Sequence, residues 1–578
     1  MVNLPNATSA TAVIRGHARR TPDHTAMIFV DDVERVDGAT RWSYARLDAE
    51  ATRIGAWLGA RYPVGTRVLL LYPAGFDFAA AYLGCLYAGT AAVPAPLPGR
   101  YRNEQVRVSG IAMNAAASVI LTDTKSLPAV RAWAEAEQLT GTRVLATDGR
   151  DLPDPGAWTP EEADHRTLAM LQYTSGSTGE PKGVMVSHGN LLHNVDSQSR
   201  AFGLTAASRL GGWIPHYHDM GLLGQLLPAL LVGATCVLMR PSAFLQRPYH
   251  WLRLIDTYDI QCSAAPNFAY EMCCARTTDE QLAGLDLSRW RTASNGSERV
   301  DITTLDAFAK RFAPAGFRED ALCPCYGMAE ATVFVSGEAD RKAVVTTVDA
   351  ERLKQHRLVP TQPGVDLVSC GTPRDYEVLI VDPRTGGEAA TGGIGEIWLR
   401  GPSLAREYWN DPVATERAFA PDGFLRTGDL GTVHDGELYV TGRLQELLTV
   451  HGHHIYPQDV ERELRNQHSE LASAGAVFTV PVPEVHGEEA LVVTHEVDGS
   501  PAQDRLRLLA NEIRQTVDRE FGIAVGGVAL LRRGRVRRTT SGKIQRMEMR
   551  RLFLNGELNA LYADHEPGVM EMLRSRNP

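Results

Sequence analysis

The sequence predicts an α/β chain: helix-covered, mainly parallel sheets first, and a separate α+β unit last. Three observations carry that prediction. Through about residue 400, strand-like apolar runs alternate with helical ones, the pattern of parallel sheets with helices packed on them. From about Val378 the texture changes to short strands with Gly-rich turns, which predicts a small β-barrel or antiparallel layer. After Gly442-Arg443 it changes again, over a stretch of ordinary domain size.

In chain order, Arg67–Tyr72 reads as a strand, the Ala-rich Phe76–Ala88 as a helix and Ala91–Pro94 as the next strand. Two uncharged stretches, Ala79–Pro98 and Met220–Met239, are long enough to test as membrane spans. The first holds Gly84, Gly89 and three prolines, and the second holds Gln225, Pro228 and Gly233. Each therefore splits into a buried helix and a short core strand. EVLIVD (377–382), GEIWLRG (395–401) and GELYVTG (436–442) supply the short strands of the middle layer. Beyond the joint, expected at Arg443–Glu446, QDVERELRNQ (458–467) leans helical. Ala476–Val482 and Ala490–Glu496 read as a strand pair, and residues 502–521 as a long helix.

Composition sets the class. The 578 residues carry 59 basic and 69 acidic groups, a net charge of −10, with 44% hydrophobic and 22% charged residues. These are values of an ordinary soluble chain of several compact units, not of a disordered, collagenous or disulfide-stapled one. The acidic balance argues against nucleic-acid binding as a global property. Eight cysteines include no CxxC pair, which fits thiols in a reducing compartment, and the N-terminus lacks the apolar core of a signal peptide. A cytoplasmic protein is expected. Only six of the basic residues are lysines: Lys125, Lys182, Lys310, Lys342, Lys354 and Lys543. Each is worth tracing, because an ammonium does chemistry that a guanidinium does not.

The densest signal is Tyr173-Thr174-Ser175-Gly176-Ser177-Thr178-Gly179-Glu180-Pro181-Lys182-Gly183, set between two strand-like runs. Its glycines let backbone N–H groups approach a ligand, its hydroxyls donate hydrogen bonds, and Lys182 adds charge. Together they make a polyphosphate cradle. It is not a Walker A loop, because Pro181 intervenes and Gly183 follows the lysine.

This loop resembles the phosphate-binding loop of the adenylate-forming superfamily of acyl-CoA synthetases, luciferases and nonribosomal adenylation domains. Further matches follow in order. Tyr326-Gly327-Met328-Ala329-Glu330 resembles the adenine and magnesium segment, with Glu330 as the metal carboxylate and Thr178 as a further candidate. Arg426-Thr427-Gly428-Asp429 resembles the ribose site, Gly442-Arg443 the basic approach to the hinge, and Thr540-Ser541-Gly542-Lys543-Ile544-Gln545-Arg546 the loop of the catalytic lysine. Five motifs fall in order across 173–546, and the resemblance covers nearly the whole chain. The resemblance implies an α/β N-terminal domain at 1–442, with two helix-flanked mainly parallel sheets and a small β-barrel. A hinge at 443–446 and a small mobile α+β lid at 447–578 would follow. It also implies ATP and Mg²⁺ as cofactors. The chemistry agrees: a carboxylate attacking the α-phosphorus of ATP brings anions together, so positioning and charge neutralisation dominate. A compact ammonium on Lys543 can bridge carboxylate and phosphate.

Three segments are similar to the fatty acyl-AMP ligases in particular: Trp213–Gly221, Ser263–Phe268 and Asn295–Val300, the last including Gly296 and Ser297 at the AMP site. So is YGMAEATVFVSG, continued by an extended stretch to Gly371. In that group an insertion, here about 337–370, is associated with poor use of coenzyme A and transfer to a carrier protein. His218 corresponds to a residue beside the acyl carboxylate. His216 and Asp219 beside it do not complete a metal set by spacing, and His451, His453 and His454 read as a solvated loop. The family commonly has Asp or Lys where Gln445 stands, so the hinge departs from its pattern.

The expected reaction is ATP-dependent activation of a fatty acid to acyl-AMP, then transfer to the phosphopantetheine of a separate acyl carrier protein in polyketide or nonribosomal lipid synthesis. Neither nucleic acid nor a membrane span is expected. From Arg532 to Arg546 there are seven basic residues and no acid, a candidate docking run for an acidic carrier. The rivals are an acyl-CoA synthetase, a non-catalytic adenylate-binding protein and an amino-acid adenylation domain.

Overall fold

The computed structural model describes residues 4–35, 38–99, 102–149, 152, 156, 158–174, 181–450, 453–482, 489–499, 501–539 and 542–576. Two sheets dominate the first 330 residues. A seven-stranded sheet runs in the order Leu322–Pro324, Thr292–Asn295, Cys262–Ala265, Arg209–Gly212, Thr235–Met239, Thr25–Val30, Ala39–Ser43, parallel except at its last pair. A six-stranded sheet runs Arg143–Ala146, Val119–Thr122, Arg67–Leu71, Ala91–Ala95, Leu168–Thr174, Lys182–Ser187, again antiparallel only at its last pair.

Side-chain alternation explains why both sheets are helix-covered on both faces. Val68 and Leu70 join one buried cluster, while Leu69 and Leu71 join another. Met27 and Phe29 likewise join the first cluster, and Ile28 and Val30 a third. The shared cluster contains helices Tyr44–Gly59 and Phe76–Tyr87, so it binds the two sheets into one body. The helix His188–Phe202 starts where Ser187 and Asn190 form a capping box and stops at left-handed Gly203.

The uncharged stretches divide as their glycines and prolines predict. Phe76–Tyr87 and Ala91–Ala95 form helix and strand in the first. Leu227–Val232, preceded by a π-helical turn at Leu222–Leu226, and Thr235–Met239 do so in the second. No helix of the described residues is long and apolar enough to cross a membrane.

The middle layer is an antiparallel meander of Glu377–Val381, Gly395–Arg400, Leu425–His434 and Glu437–Arg443. The segment 337–370 contributes a hairpin, Val345–Val348 with Val365–Val368, and rests on this layer. Arg341 there pairs with Glu437 through two bonds of 2.8 Å, and Thr346 shares a 2.8 Å hydrogen bond with Tyr439. Lys342 and Lys354 make surface ion pairs with Glu319 and Glu351 at 2.7 and 2.9 Å. The last unit holds a four-stranded mixed sheet, Leu471–Pro481, Glu489–Val497, Val525–Arg532 and Tyr562–His565. Helices Pro457–Gln467 and Gln503–Phe521 cover one face, and Arg546–Leu554 with Pro567–Arg576 the other.

Candidate active site

Four loops leave the carboxyl ends of four successive strands of the seven-stranded sheet. After Arg209–Gly212 comes His218, after Cys262–Ala265 comes Phe268, after Thr292–Asn295 come Gly296 and Ser297, and after Leu322–Pro324 comes Tyr326–Glu330. Parallel strands deliver all four loops to one edge, the edge where open α/β sheets hold ligands. Segments up to 112 residues apart in sequence thereby converge, from His218 after one strand to Glu330 after another.

At one end of this edge sits a carboxylate with fixed partners. The Tyr326 hydroxyl donates to Asp429 Oδ2 at 2.7 Å, and Arg443 Nε lies 3.1 Å from Asp429 Oδ1. Burial first, then Asp429, pushes the Tyr326 phenol well up, so the phenol stays protonated and the carboxylate stays the acceptor. Asp429 lies directly opposite Arg443 across its hairpin. Gly327 brings backbone together behind Met328: a Cβ there would lie 1.7 Å from the Val333 carbonyl oxygen. Ala329 opens the short 3₁₀ turn that carries Glu330, and Ser297 next to Gly296 adopts φ +71°.

Glu330 is buried, and its Oε1 accepts from the Tyr408 hydroxyl at 2.7 Å. Burial raises its pKa, opposed by the Tyr408 bond. Lys182 Nζ lies 5.2 Å from the Tyr408 ring centroid, within cation–π reach. Tyr408 arrives because its segment pairs with the strand Lys182–Ser187. Met185 N–H donates to Glu407 O at 3.1 Å and Trp409 N–H to Gly183 O at 2.7 Å. Sequence reasoning missed Tyr408, and no local signal marks it, since the pairing joins residues more than 200 apart.

The cradle expected at 174–182 lies between antiparallel strands, with Thr174 opposite Lys182. Ser175, Gly176, Ser177, Thr178 and Gly179 lie outside the described residues. Magnesium keeps most of its waters and takes few protein carboxylates, so one buried carboxylate joined through Tyr408 to the neighbourhood of Lys182 fits it. No group of three or more His, Cys, Asp or Glu converges as a metal site among the described residues.

His218 and Asp219 form a pair, Nδ1 to Oδ1 at 2.8 Å. Burial alone would raise Asp219, but His218, Lys543 and the Met220 N–H hold it down at about 2. His216 stays apart from this pair. Its ring packs on Phe78 at 3.9 Å between centroids, both nitrogens lack partners, and burial lowers its pKa to about 3.

Lys543 enters the same edge from the last unit. Desolvation and the Arg443 charge lower its pKa, while Asp219, Asp429 and Glu298 oppose them. Gly542, at φ +89°, presses on Phe268: a Cβ there would lie 2.5 Å from the ring. Three cross-unit ion pairs accompany this insertion, Arg299–Asp459 at 2.5 Å, Arg462–Asp301 at 3.4 Å and Arg465–Glu271 at 3.7 Å. Thr540 and Ser541 lie outside the described residues. Glu298, whose Oε1 accepts the Phe268 N–H at 3.0 Å, is a second residue that the sequence reading left out.

The joint is a 3₁₀ turn, Leu444–Glu446, with Gln445 exposed. Arg546 leaves the basic run expected to face a partner. Its guanidinium turns inward to Glu461 at 2.8 and 2.7 Å and to Glu446 at 2.7 Å.

The chain matches the family model described as AMP-binding enzyme over residues 14–409. It is 41% identical over 538 residues to a medium-chain-fatty-acid–[acyl-carrier-protein] ligase, JamA, of Moorena producens, covering 89% of this chain and 90% of that one. It is 35% identical over 583 residues to a long-chain-fatty-acid–AMP ligase, FadD23, of Mycobacterium tuberculosis, covering 96% and 98%. Among solved structures, a chain from work on fatty acyl-adenylate ligases of E. coli and L. pneumophila superposes with a TM-score of 0.87 at 30% identity, covering 95% and 98%. A fatty acid AMP ligase from Legionella pneumophila superposes with a TM-score of 0.73 at 33% identity, covering 98% and 99%.

Proposed function

The chain belongs to the AMP-binding enzymes, and on that premise we propose that it is a fatty acyl-AMP ligase that passes its acyl group to a carrier protein. The observation that carries the reading is the packing of the Lys543 loop on Phe268 at the strand ends, which puts the ammonium within electrostatic reach of Asp219, Asp429 and Arg443.

In the first step a carboxylate oxygen of the fatty acid bonds to the α-phosphorus of ATP, the bond to the bridging oxygen breaks, and pyrophosphate leaves. Asp429, held by Tyr326 and Arg443, accepts from the ribose hydroxyls. Lys182 faces the β- and γ-phosphates, and Lys543 neutralises charge between the attacking carboxylate and the phosphorus. The His218–Asp219 pair orients the acyl carboxylate. Glu330 would hold Mg²⁺, with the Thr178 hydroxyl as a further ligand, and the ion would supply charge for the phosphates when bound. In the second step a thiol adds to the acyl carbon, its proton is lost, and AMP leaves. Lys543 fills the space above the adenylate, so its unit must turn about Gln445 before a thiol can reach. The units run 1–442 and 447–578, with 443–446 between them.

The acceptor is the phosphopantetheine thiol of a separate acyl carrier protein, and coenzyme A is used poorly. The name of the Moorena relative supports the carrier, and the segment 337–370 supports the disfavoured coenzyme. Free cysteines throughout the described residues fit work in the cytoplasm. The test is pyrophosphate release with fatty acids of graded length, followed by incubation with a phosphopantetheinylated carrier protein whose thiol is free, or with coenzyme A. Acyl-carrier should form and acyl-CoA should not; efficient acyl-CoA formation overturns the acceptor. Arg535 and Arg537 remain in the outer run, and reversing both to Glu should slow carrier loading while sparing adenylation. Equal loss in both steps removes them from docking.

A further inference from the structure

Arg546 and Glu446 invite a closer reading, because they bury charge where the reaction chemistry has no use for it. The Arg546 side chain is 14% exposed and Glu461 8%, while Glu446 is 27% exposed. The guanidinium takes both Glu461 oxygens in a fork and still reaches Glu446 with its third nitrogen. Glu461 is also the acceptor for the Val477 N–H at 2.9 Å, so it is fastened to the sheet of the last unit. Buried ion pairs add little net stability, because desolvation offsets their attraction, but they fix one geometry among several.

The geometry fixed here is that of the joint. On its upstream side, Arg443 is held to Asp429 at 3.1 Å and sits at the end of a paired strand. On its downstream side, Glu446 is held to Arg546, which opens the helix Arg546–Leu554 three residues after Lys543. Only Leu444 and Gln445 lie between the two anchors. The charge absent from Gln445 thus stands one residue later, bound inward.

We propose that Arg546 and Glu446 are positioning residues that make the downstream half of the joint one rigid piece with the Lys543 loop. Rotation is then confined to Leu444 and Gln445, and Lys543 returns to one place each time the last unit turns back. Arg546 has all three guanidinium nitrogens on Glu461 and Glu446. Both act through Lys543. Without the clamp, rotation spreads past Glu446 and the ammonium reaches the crevice in several poses, a loss felt only in the step that uses it.

The inference rests on the proposed ligase activity and is tested within it. Glu446→Gln keeps shape and removes charge at the more exposed partner, and Glu446→Asp is the conservative control. Pyrophosphate release with dodecanoic acid reads the first step. Acyl transfer from preformed dodecanoyl-adenylate to pantetheine, a small thiol probe, reads the second. Glu446→Gln should lower kcat of the first step about tenfold, leave KM for ATP and dodecanoate within about twofold and leave transfer within about twofold. Glu446→Asp should recover much of the loss, and Arg546→Lys should behave like Glu446→Gln. A first step unchanged in Glu446→Gln overturns the clamp. So does equal loss in both steps, or a loss that tracks a fallen melting temperature. Absence of pyrophosphate release from the unaltered protein would instead overturn the ligase reading and leave the clamp out of account.

Discussion

Lys543 and Tyr408 represent two kinds of site residue. Lys543 is legible in sequence because its chemistry needs a turn, a glycine and an ammonium within a few positions. Tyr408 is not, because its role comes from pairing with a strand more than 200 residues earlier. Asp219 and Glu298 are intermediate, since each lies inside a legible motif but acquires its role only when Lys543 arrives from another unit. Lys543→Ala should lower adenylate formation by about 10²–10³, the scale for losing one charge-stabilising group, with KM for fatty acid little changed. Tyr408→Phe removes one hydrogen bond to a buried carboxylate, worth about 1–1.5 kcal/mol, and should slow pyrophosphate release about tenfold. The slowing should be accompanied by a higher magnesium requirement. An unchanged magnesium titration would separate Tyr408 from the metal carboxylate.

The loop of residues 542–546 shows how an element carries function through a contact it does not own. Gly542 combines positive φ with a 2.5 Å approach of its missing Cβ to Phe268. Gly542→Ala should therefore displace the loop and lower adenylation about 10- to 100-fold, while the left-handed conformation costs the lid about 1–2 kcal/mol. Phe268→Ala should restore part of the activity in the double variant by clearing space. Equal activity in Gly542→Ala and Gly542→Ala/Phe268→Ala would exclude the ring as the obstacle. At this scale the sequence was informative about single elements. Alternating Val68, Leu69, Leu70 and Leu71 announces a strand buried on both faces. Nothing in that alternation says which sheet lies across the shared cluster, because both faces are equally apolar. The antiparallel layer was legible as strands but not as the support on which 337–370 rests.

At the scale of the whole molecule, three buried histidines in different parts of the chain are stored as neutral groups. Burial lowers His216 to about 3 and His188 and His495 to about 4. Each unfolded imidazole binds a proton near pH 6.5, while the folded one does not until well below 5. The stability they contribute is complete above pH 6.5 and is lost as pH falls toward the folded values. At pH 5 each should have cost about 2 kcal/mol, so melting temperature should fall steeply between pH 7 and 5. His216→Phe, which keeps an aromatic ring against Phe78, should flatten that fall by its share. An identical pH slope in the variant would remove His216 from the cause.

Pairing of Lys182–Ser187 with the segment around Tyr408 has a consequence for how the chain is made. During synthesis that strand emerges long before its outer neighbour, and for some 200 residues it is the bare edge of an otherwise finished sheet. The strand that carries Lys182 is thus covered by a late, distant contact, the slow kind in folding. A nascent chain halted before residue 405 should carry two formed sheets and an open strand edge without Tyr408 against Glu330, which makes it a client for chaperones instead of a smaller enzyme.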